Sequence, residues 1–160
     1  MRDSFFRRPG GAGIFGYRQV TLALALWVVT ALFSSVPAGA QVVVINDSIA
    51  ETALPIATIR AIFSLRVQAL DGQKLTVFVL DPRDPVHASF SKDVLGVFPY
   101  QLQSAWDRSV FSGSSSGPVV VNSETEMLRR VSTTAGGIGY LSLPAAQEGM
   151  RILNIQGGNP

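Results

Sequence analysis

The sequence contains no cysteine among its 160 residues and only one histidine, His87. Without thiols the chain can form neither disulfide bonds nor thiolate metal sites, and thiol catalysis is excluded. A single histidine with scattered carboxylates gives no metal-ligand pattern. Ser89, His87 and Asp84 have the residue types of a Ser-His-Asp catalytic triad, but no nucleophile-elbow motif accompanies them. We therefore expect a protein that is not an enzyme and that needs no metal or other cofactor.

The main apolar segment, residues 20–33, is shorter than the roughly 20 apolar residues of a membrane span. Four arginines and one aspartate precede it, and the small residues Ala38 and Ala40 follow it, with Pro37 just upstream. A basic start, a short apolar run and an A-x-A site predict a Sec-type secretory signal over residues 1–40. We expect cleavage after Ala40 and a periplasmic protein. The alternative is an uncleaved N-terminal anchor, and the membrane would then be reached only through this segment.

The basic character of the chain belongs to the predicted signal. The whole sequence has 13 basic and 11 acidic residues, and residues 1–40 hold four and one of them. Residues 41–160 therefore carry nine basic and ten acidic side chains, a net charge near −1. This part has no basic excess, so the sequence gives no reason to expect a nucleic-acid partner.

Residues 41–160 are long enough for one domain with a hydrophobic core. Several short runs are apolar throughout, as in strands buried on both faces. Apolar residues between them recur at helical spacing. Strands that alternate with helices predict an α/β fold with a central buried sheet and helices on both faces. The predicted strands are 42–45, 75–80, 118–121, 138–141 and 150–155, and the predicted helices are 55–63, 85–95, 99–110 and 123–134. Asp71-Gly72 predicts a turn before the strand 75–80.

Residues 81–90 are the best candidate for a binding site, because they join a buried strand to a helix. In α/β sheets ligands bind at this position, and backbone N–H groups at a helix start favour anions. Arg83 could hold an oxyanion bidentately, while His87 and Ser89 could donate hydrogen bonds. The alternative is an ordinary loop in which Arg83 is solvated or bonded to a neighbouring aspartate.

Gly136 and Gly137 begin a glycine-rich stretch that could suggest a nucleotide loop. A dinucleotide-binding loop follows a strand and begins a helix, whereas this stretch follows a predicted helix and begins a predicted strand. We therefore expect a helix stop with close packing.

An ordered set of residues resembles the phosphate-type substrate-binding proteins of ABC transporters, in particular their small single-lobe relatives. The set spans nearly all of residues 42–141. The resemblance implies one of the two lobes of a type 2 periplasmic-binding-protein fold. The matching residues are Ile62-Phe63, Asp71-Gly72, Phe90, Val94-Leu95-Gly96, Leu102, Trp106, Phe111-Ser112-Gly113 and Gly136-Gly137-Ile138-Gly139-Tyr140.

The same resemblance bears on the candidate site. In the phosphate binders the corresponding loop reads roughly Arg-x-Asp-Gly-Ser-Gly-Thr-Ser-Phe. Counted back from Ser89 and Phe90, its aspartate corresponds to Asp84, and its arginine is displaced by one position to Arg83. Its Gly-Ser-Gly-Thr donors correspond to residues 85–88. The candidate ligand-binding residues are Arg83, Asp84, His87 and Ser89.

The resemblance implies an exported solute-binding-like protein that recognises a small anion such as phosphate. Its partners would be an ABC permease or another protein of the cell envelope. The alternative is a non-enzymatic periplasmic interaction or scaffold protein that has lost ligand binding. In both interpretations residues 41–160 form the folded domain.

Overall fold

The computed structural model describes residues 40–146 and 150–157. Apart from Ala40, the predicted signal segment lies outside the described residues. No helix within the described ranges is both long and apolar enough to cross a membrane.

The predicted apolar runs form strands, and the amphipathic segments between them form helices. The elements in the first half are β1 (Gln41–Ile45), β2 (Ala53–Pro55), α1 (Ile56–Phe63), β3 (Ala69–Leu70), β4 (Gln73–Lys74) and β5 (Thr76–Leu80). The later elements are α2 (Pro85–Ser89), a π-helical turn (Phe90–Val94), α3 (Pro99–Phe111), β6 (Val119–Val121), α4 (Glu124–Thr133), β7 (Gly137–Ser142), a 3₁₀ turn (Leu143–Ala145) and β8 (Arg151–Gln156).

Six strands form one sheet in the order β2-β8-β1-β7-β5-β6. Strand β1 is antiparallel to both of its neighbours, β7 and β8. The pairs β2–β8, β5–β7 and β5–β6 are parallel. Five strands therefore run in one direction and only β1 runs against them, so the five parallel strands end at a common edge.

Strand β7 shows that helices cover both faces of the sheet, since successive strand residues point to opposite sides. Gly139 lies against α4, where an added Cβ would overlap the Met127 sulfur. The next residue, Tyr140, packs on the other face against Phe63 of α1 and stacks on Phe90, with ring centroids 5.8 and 3.9 Å away. The predicted α/β fold, with a buried sheet between helices, is confirmed.

The predicted helix over residues 85–95 is two elements. Helix α2 is followed at once by the π-helical turn Phe90–Val94. Within this wider turn the Leu95 N–H donates to the Phe90 carbonyl at 3.0 Å. Leu95 is fully buried, whereas Val94 is only partly buried. The wider turn thus brings Leu95 into the core.

Two glycine turns have the geometry that the sequence predicted. Asp71 and Gly72 both have positive φ, 43° and 84°, as a two-residue hairpin turn requires, and they join β3 to β4. Gly136 separates α4 from β7 with φ 71°, and an added Cβ there would overlap the Lys74 carbonyl oxygen. The expected helix stop with close packing is therefore confirmed.

Gly136→Ala should destabilise the protein by about 3 kcal/mol or more, because the new methyl group meets backbone atoms as well as an unfavourable φ. Gly72→Ala is the matched control, since its φ is also positive but nothing lies within 4 Å of the added Cβ. It should cost only about 1–2 kcal/mol. Urea unfolding of both variants measures the difference, and equal losses would contradict the close packing at Gly136.

Candidate functional site

The predicted site loop, residues 81–90, leaves β5 at the carboxyl edge of the parallel strands. Arg83 is exposed in this loop, and Asp84 beside it is partly buried. Ser89 is partly buried at the end of α2, and His87 is buried within that helix. The structure thus brings Arg83 and Asp84 to the open surface of this edge, and it places His87 in the core.

The loop satisfies its own backbone donors with its own carboxylates. An Asp84 oxygen caps α2 by accepting the Val86 N–H at 2.7 Å. Pro85, the first helical residue, has no N–H to offer. Asp81 accepts the Arg83 N–H at 2.8 Å. The negative charge that a helix start favours is therefore already supplied from within the chain.

The start of α4 lies at the same edge and is capped in the same way. Ser123 accepts the Glu126 N–H at 3.1 Å, as a capping serine does. The Glu126 carboxylate accepts the Asn122 N–H at 3.0 Å, and this hydrogen bond is the main cause that lowers the pKa of Glu126. Glu124 accepts the Ser142 N–H at 2.6 Å, at the end of β7. Several amides that could bind an anion are thus occupied by carboxylates.

Arg83 is the residue of this edge best placed to hold an oxyanion. It forms no ion pair within the described ranges, whereas Arg130 pairs with Glu126 at 3.6 Å. A guanidinium can hold an oxyanion through two parallel hydrogen bonds. At an exposed position such a contact contributes only about 1 kcal/mol or less. Arg83 alone therefore supports weak anion binding.

His87 is part of a buried hydrogen-bond chain. Its Nδ1 lies 2.6 Å from the Tyr140 hydroxyl, which also accepts the Leu80 N–H at 2.9 Å. Because the hydroxyl accepts from Leu80, its own proton is free to be donated to His87 Nδ1. This arrangement fits the neutral imidazole that carries its proton on Nε2.

The other side of the imidazole has no partner among the described residues. His87 Nε2 and Ser91 Oγ are both buried without a hydrogen bond within the described part of the chain. Burial lowers the pKa of His87, and the carboxylates of Asp84 and Asp81 oppose that shift. With only 1% of its surface exposed, His87 does not face a ligand at the loop. Its role as a ligand contact remains a prediction without support from this geometry.

The roles of two residues in this region were not predicted from the sequence. The role of Glu124 at the end of β7 gave no local signal. Tyr140 did give one, because a phenol in an otherwise aliphatic buried strand needs a hydrogen-bond partner. Among the residues that the structure describes, no three His, Asp or Glu side chains come together to hold a metal ion.

No family model matches the chain, and no curated protein matches it. Several solved structures do match its fold. An ABC-type phosphate transport receptor from Vibrio cholerae aligns with a TM-score of 0.60 at 16% identity, over 76% of this chain and 48% of that one. PstS from Borrelia burgdorferi aligns with a TM-score of 0.56 at 17% identity, over 76% and 49% of the two chains.

A third match is a Clostridium perfringens protein described as a phosphate ABC transporter substrate-binding protein and solved with bound phosphate. It aligns with a TM-score of 0.61 at 11% identity, over 76% of this chain and 46% of that one. The chain thus spans just under half the length of the structures it matches. Its fold is that of about one lobe of the phosphate-binding proteins, and these structural neighbours are binding proteins rather than enzymes.

The buried His87 should make the protein less stable as the pH falls below about 6.5, the ordinary pKa of histidine. Its pKa in the folded protein is lowered, so the unfolded chain takes up the proton first. The contribution of neutral His87 to stability is complete above that pH. As the pH falls, this contribution decreases until the pH reaches the folded-state pKa of His87. Urea midpoints at about pH 7.5 and about pH 5 would measure the loss.

His87→Asn is the comparison for this measurement, because asparagine keeps a polar group near Tyr140 but does not titrate. The variant should lose less stability than the unchanged protein over the same pH interval. An identical loss in both would show that other groups cause the pH dependence.

Proposed function

We propose that this chain is an exported, non-enzymatic recognition lobe that contacts another protein of the cell envelope through the carboxyl edge of its sheet. We call this surface the acidic edge and define it by Asp81, Asp84, Glu124 and Glu126. The observation that carries the proposal is that the starts of α2 and α4 at this edge are capped by the protein's own side chains.

A phosphate ion at the acidic edge would meet several carboxylates and few free amide donors. Like charges disfavour such binding, and solvent keeps any single ion contact weak. A protein partner can instead bring basic and polar groups that complement the carboxylates over a larger area. The likeness to binding proteins supports a role in recognition, and the predicted signal over residues 1–40 supports a location in the periplasm.

In-cell photo-cross-linking tests this proposal with the full-length chain in its own organism. A cross-linking residue at Asp81, on the acidic edge, should give a discrete adduct with an envelope protein. The same residue at Thr133, exposed at the other end of α4, is the matched control and should give none. The cross-linked chain should be periplasmic and begin at Gln41.

Two outcomes would count against the proposal. One is an equal pattern of adducts from the two positions, which would mean that the acidic edge has no partner of its own. The other is a full-length chain confined to the cytoplasm, which would remove the export part. A full-length chain in the membrane fraction would indicate the uncleaved anchor instead.

The second candidate function is weak recognition of a small anion such as phosphate at Arg83. Two observations favour it, namely the exposed guanidinium without a described ion pair and the likeness to a structure solved with bound phosphate. In this case the loop of residues 81–90 would act as the resemblance to phosphate binders implies.

Isothermal titration with inorganic phosphate separates the two candidates. Our first proposal expects no saturable heat up to about 10 mM phosphate, because single exposed ion contacts are too weak. The second expects saturable heat that disappears in Arg83→Gln. Arg129→Gln is the matched control, since Arg129 is another exposed arginine, on α4. Saturable heat that both variants retain would contradict both candidates.

A further inference from the structure

A cleft lies between α1 and α3, away from the acidic edge. Its volume is about 390 Å³, which is within the usual range for small-molecule sites. Helix α1 begins at the carboxyl end of β2, so its last turn points towards the opposite edge of the sheet. Helix α3 leads into the start of the parallel strand β6 and so ends at that opposite edge too. The cleft is therefore independent of the surface used in the proposed function.

Three arginines line this cleft. Arg60 is in the last turn of α1, Arg66 follows that helix, and Arg108 is in the last turn of α3. Among the residues that the structure describes, no aspartate or glutamate lines the cleft. None of the three arginines forms an ion pair within the described ranges. Asp93 and Arg60 both line a neighbouring pocket, but the Asp93 carboxylate lies beyond ion-pair distance of the Arg60 guanidinium.

Two of these guanidinium groups are positioned by hydrogen bonds. Arg60 Nε donates to the Leu95 carbonyl at 2.5 Å, and Arg66 Nε donates to Ser64 Oγ at 3.2 Å. A guanidinium has five N–H donors. The remaining donors of both groups have no acceptor among the residues described, so they are available to an anion.

The rest of the lining combines apolar and polar atoms. Val97, Leu102 and Ala105 contribute apolar surface, and Gln101 and Ser109 add an amide and a hydroxyl. The Gln101 oxygen is used by the Phe98 N–H at 2.9 Å, which leaves its NH₂ group as a donor. The cleft thus offers several donors and an apolar surface.

The helix dipole explains part of this pattern. An arginine in the last turn of a helix stabilises that helix, which accounts for Arg60 and Arg108 one at a time. It does not account for three arginines that line one cleft in which no described residue supplies a carboxylate. Clustered cations without counter-charges repel one another, and a bound anion would remove that repulsion.

We infer that this cleft binds a small organic polyanion, with an apolar frame that carries two or three carboxylate or phosphate groups. The anionic groups pair with the arginines, and the frame covers Val97, Leu102 and Ala105. The cleft is half-open, so solvent reaches it and weakens each ion contact. Several contacts are therefore needed together.

Benzene-1,3,5-tricarboxylate is a suitable probe, because three carboxylates surround an apolar ring. Isothermal titration of the full chain should show saturable binding that is tighter than binding of benzoate, which has one carboxylate on the same ring. Affinity should fall between about 20 mM and about 300 mM ionic strength, as screening requires. Arg66→Gln and Arg108→Gln should each weaken binding about fivefold, or about 1 kcal/mol.

Arg129→Gln, on α4, is the matched control and should leave the affinity unchanged. Ser109→Glu keeps all three arginines but adds a carboxylate to the cleft, and it should abolish binding. Circular dichroism checks that each variant is folded. Absence of saturable heat at about 10 mM probe, or equal affinity in Arg66→Gln, Arg108→Gln and the Arg129→Gln control, would overturn the inference. Neither outcome bears on the acidic edge, which the cross-linking experiment tests separately.

Discussion

The hydrogen bonds of the Tyr140 hydroxyl fix how the chain leaves the sheet after β5. Leu80 is the last residue of that strand and His87 is the buried residue of α2, so one phenol holds the chain on both sides of the intervening loop. Stacking on Phe90 at 3.9 Å fixes the ring itself. Loss of the hydroxyl would leave buried groups unpaired, at about 1–3 kcal/mol each. The position of Asp84 at the start of α2 depends on this arrangement.

Because Tyr140 holds the loop through buried contacts, the fold does not depend on whether the loop binds an anion. The core contacts among Phe63, Phe90 and Tyr140 maintain the lobe whether or not the loop holds an anion. The polar groups that a phosphate loop would offer are used differently here, because Asp84 caps its own helix and His87 faces the core. Likeness of fold to phosphate-binding proteins therefore gives weak grounds for phosphate binding, since function depends on the site residues.

The sequence predicted those features that local chemistry determines, such as the apolar strands, the Asp71-Gly72 turn and the stop at Gly136. It did not predict the direction of β1, because its partners β7 and β8 come at the far end of the chain. Nor did it predict the burial of His87, since its hydrogen-bond partner Tyr140 is 53 positions away in the sequence. Contacts of this kind leave no periodic pattern.

The charges of the lobe follow the direction of its helices. Asp84, Glu124 and Glu126 lie at helix starts, and Arg60 and Arg108 lie in last turns, each where the helix dipole favours it. Because α1, α2 and α4 follow parallel strands, their starts lie at one edge of the sheet, while α1 and α3 run towards the other edge. Local stabilisation thus adds up to an acidic edge and a basic cleft, although residues 41–160 are nearly neutral. An anion is drawn towards the helix ends, opposite to the edge where α/β sheets usually bind their ligands.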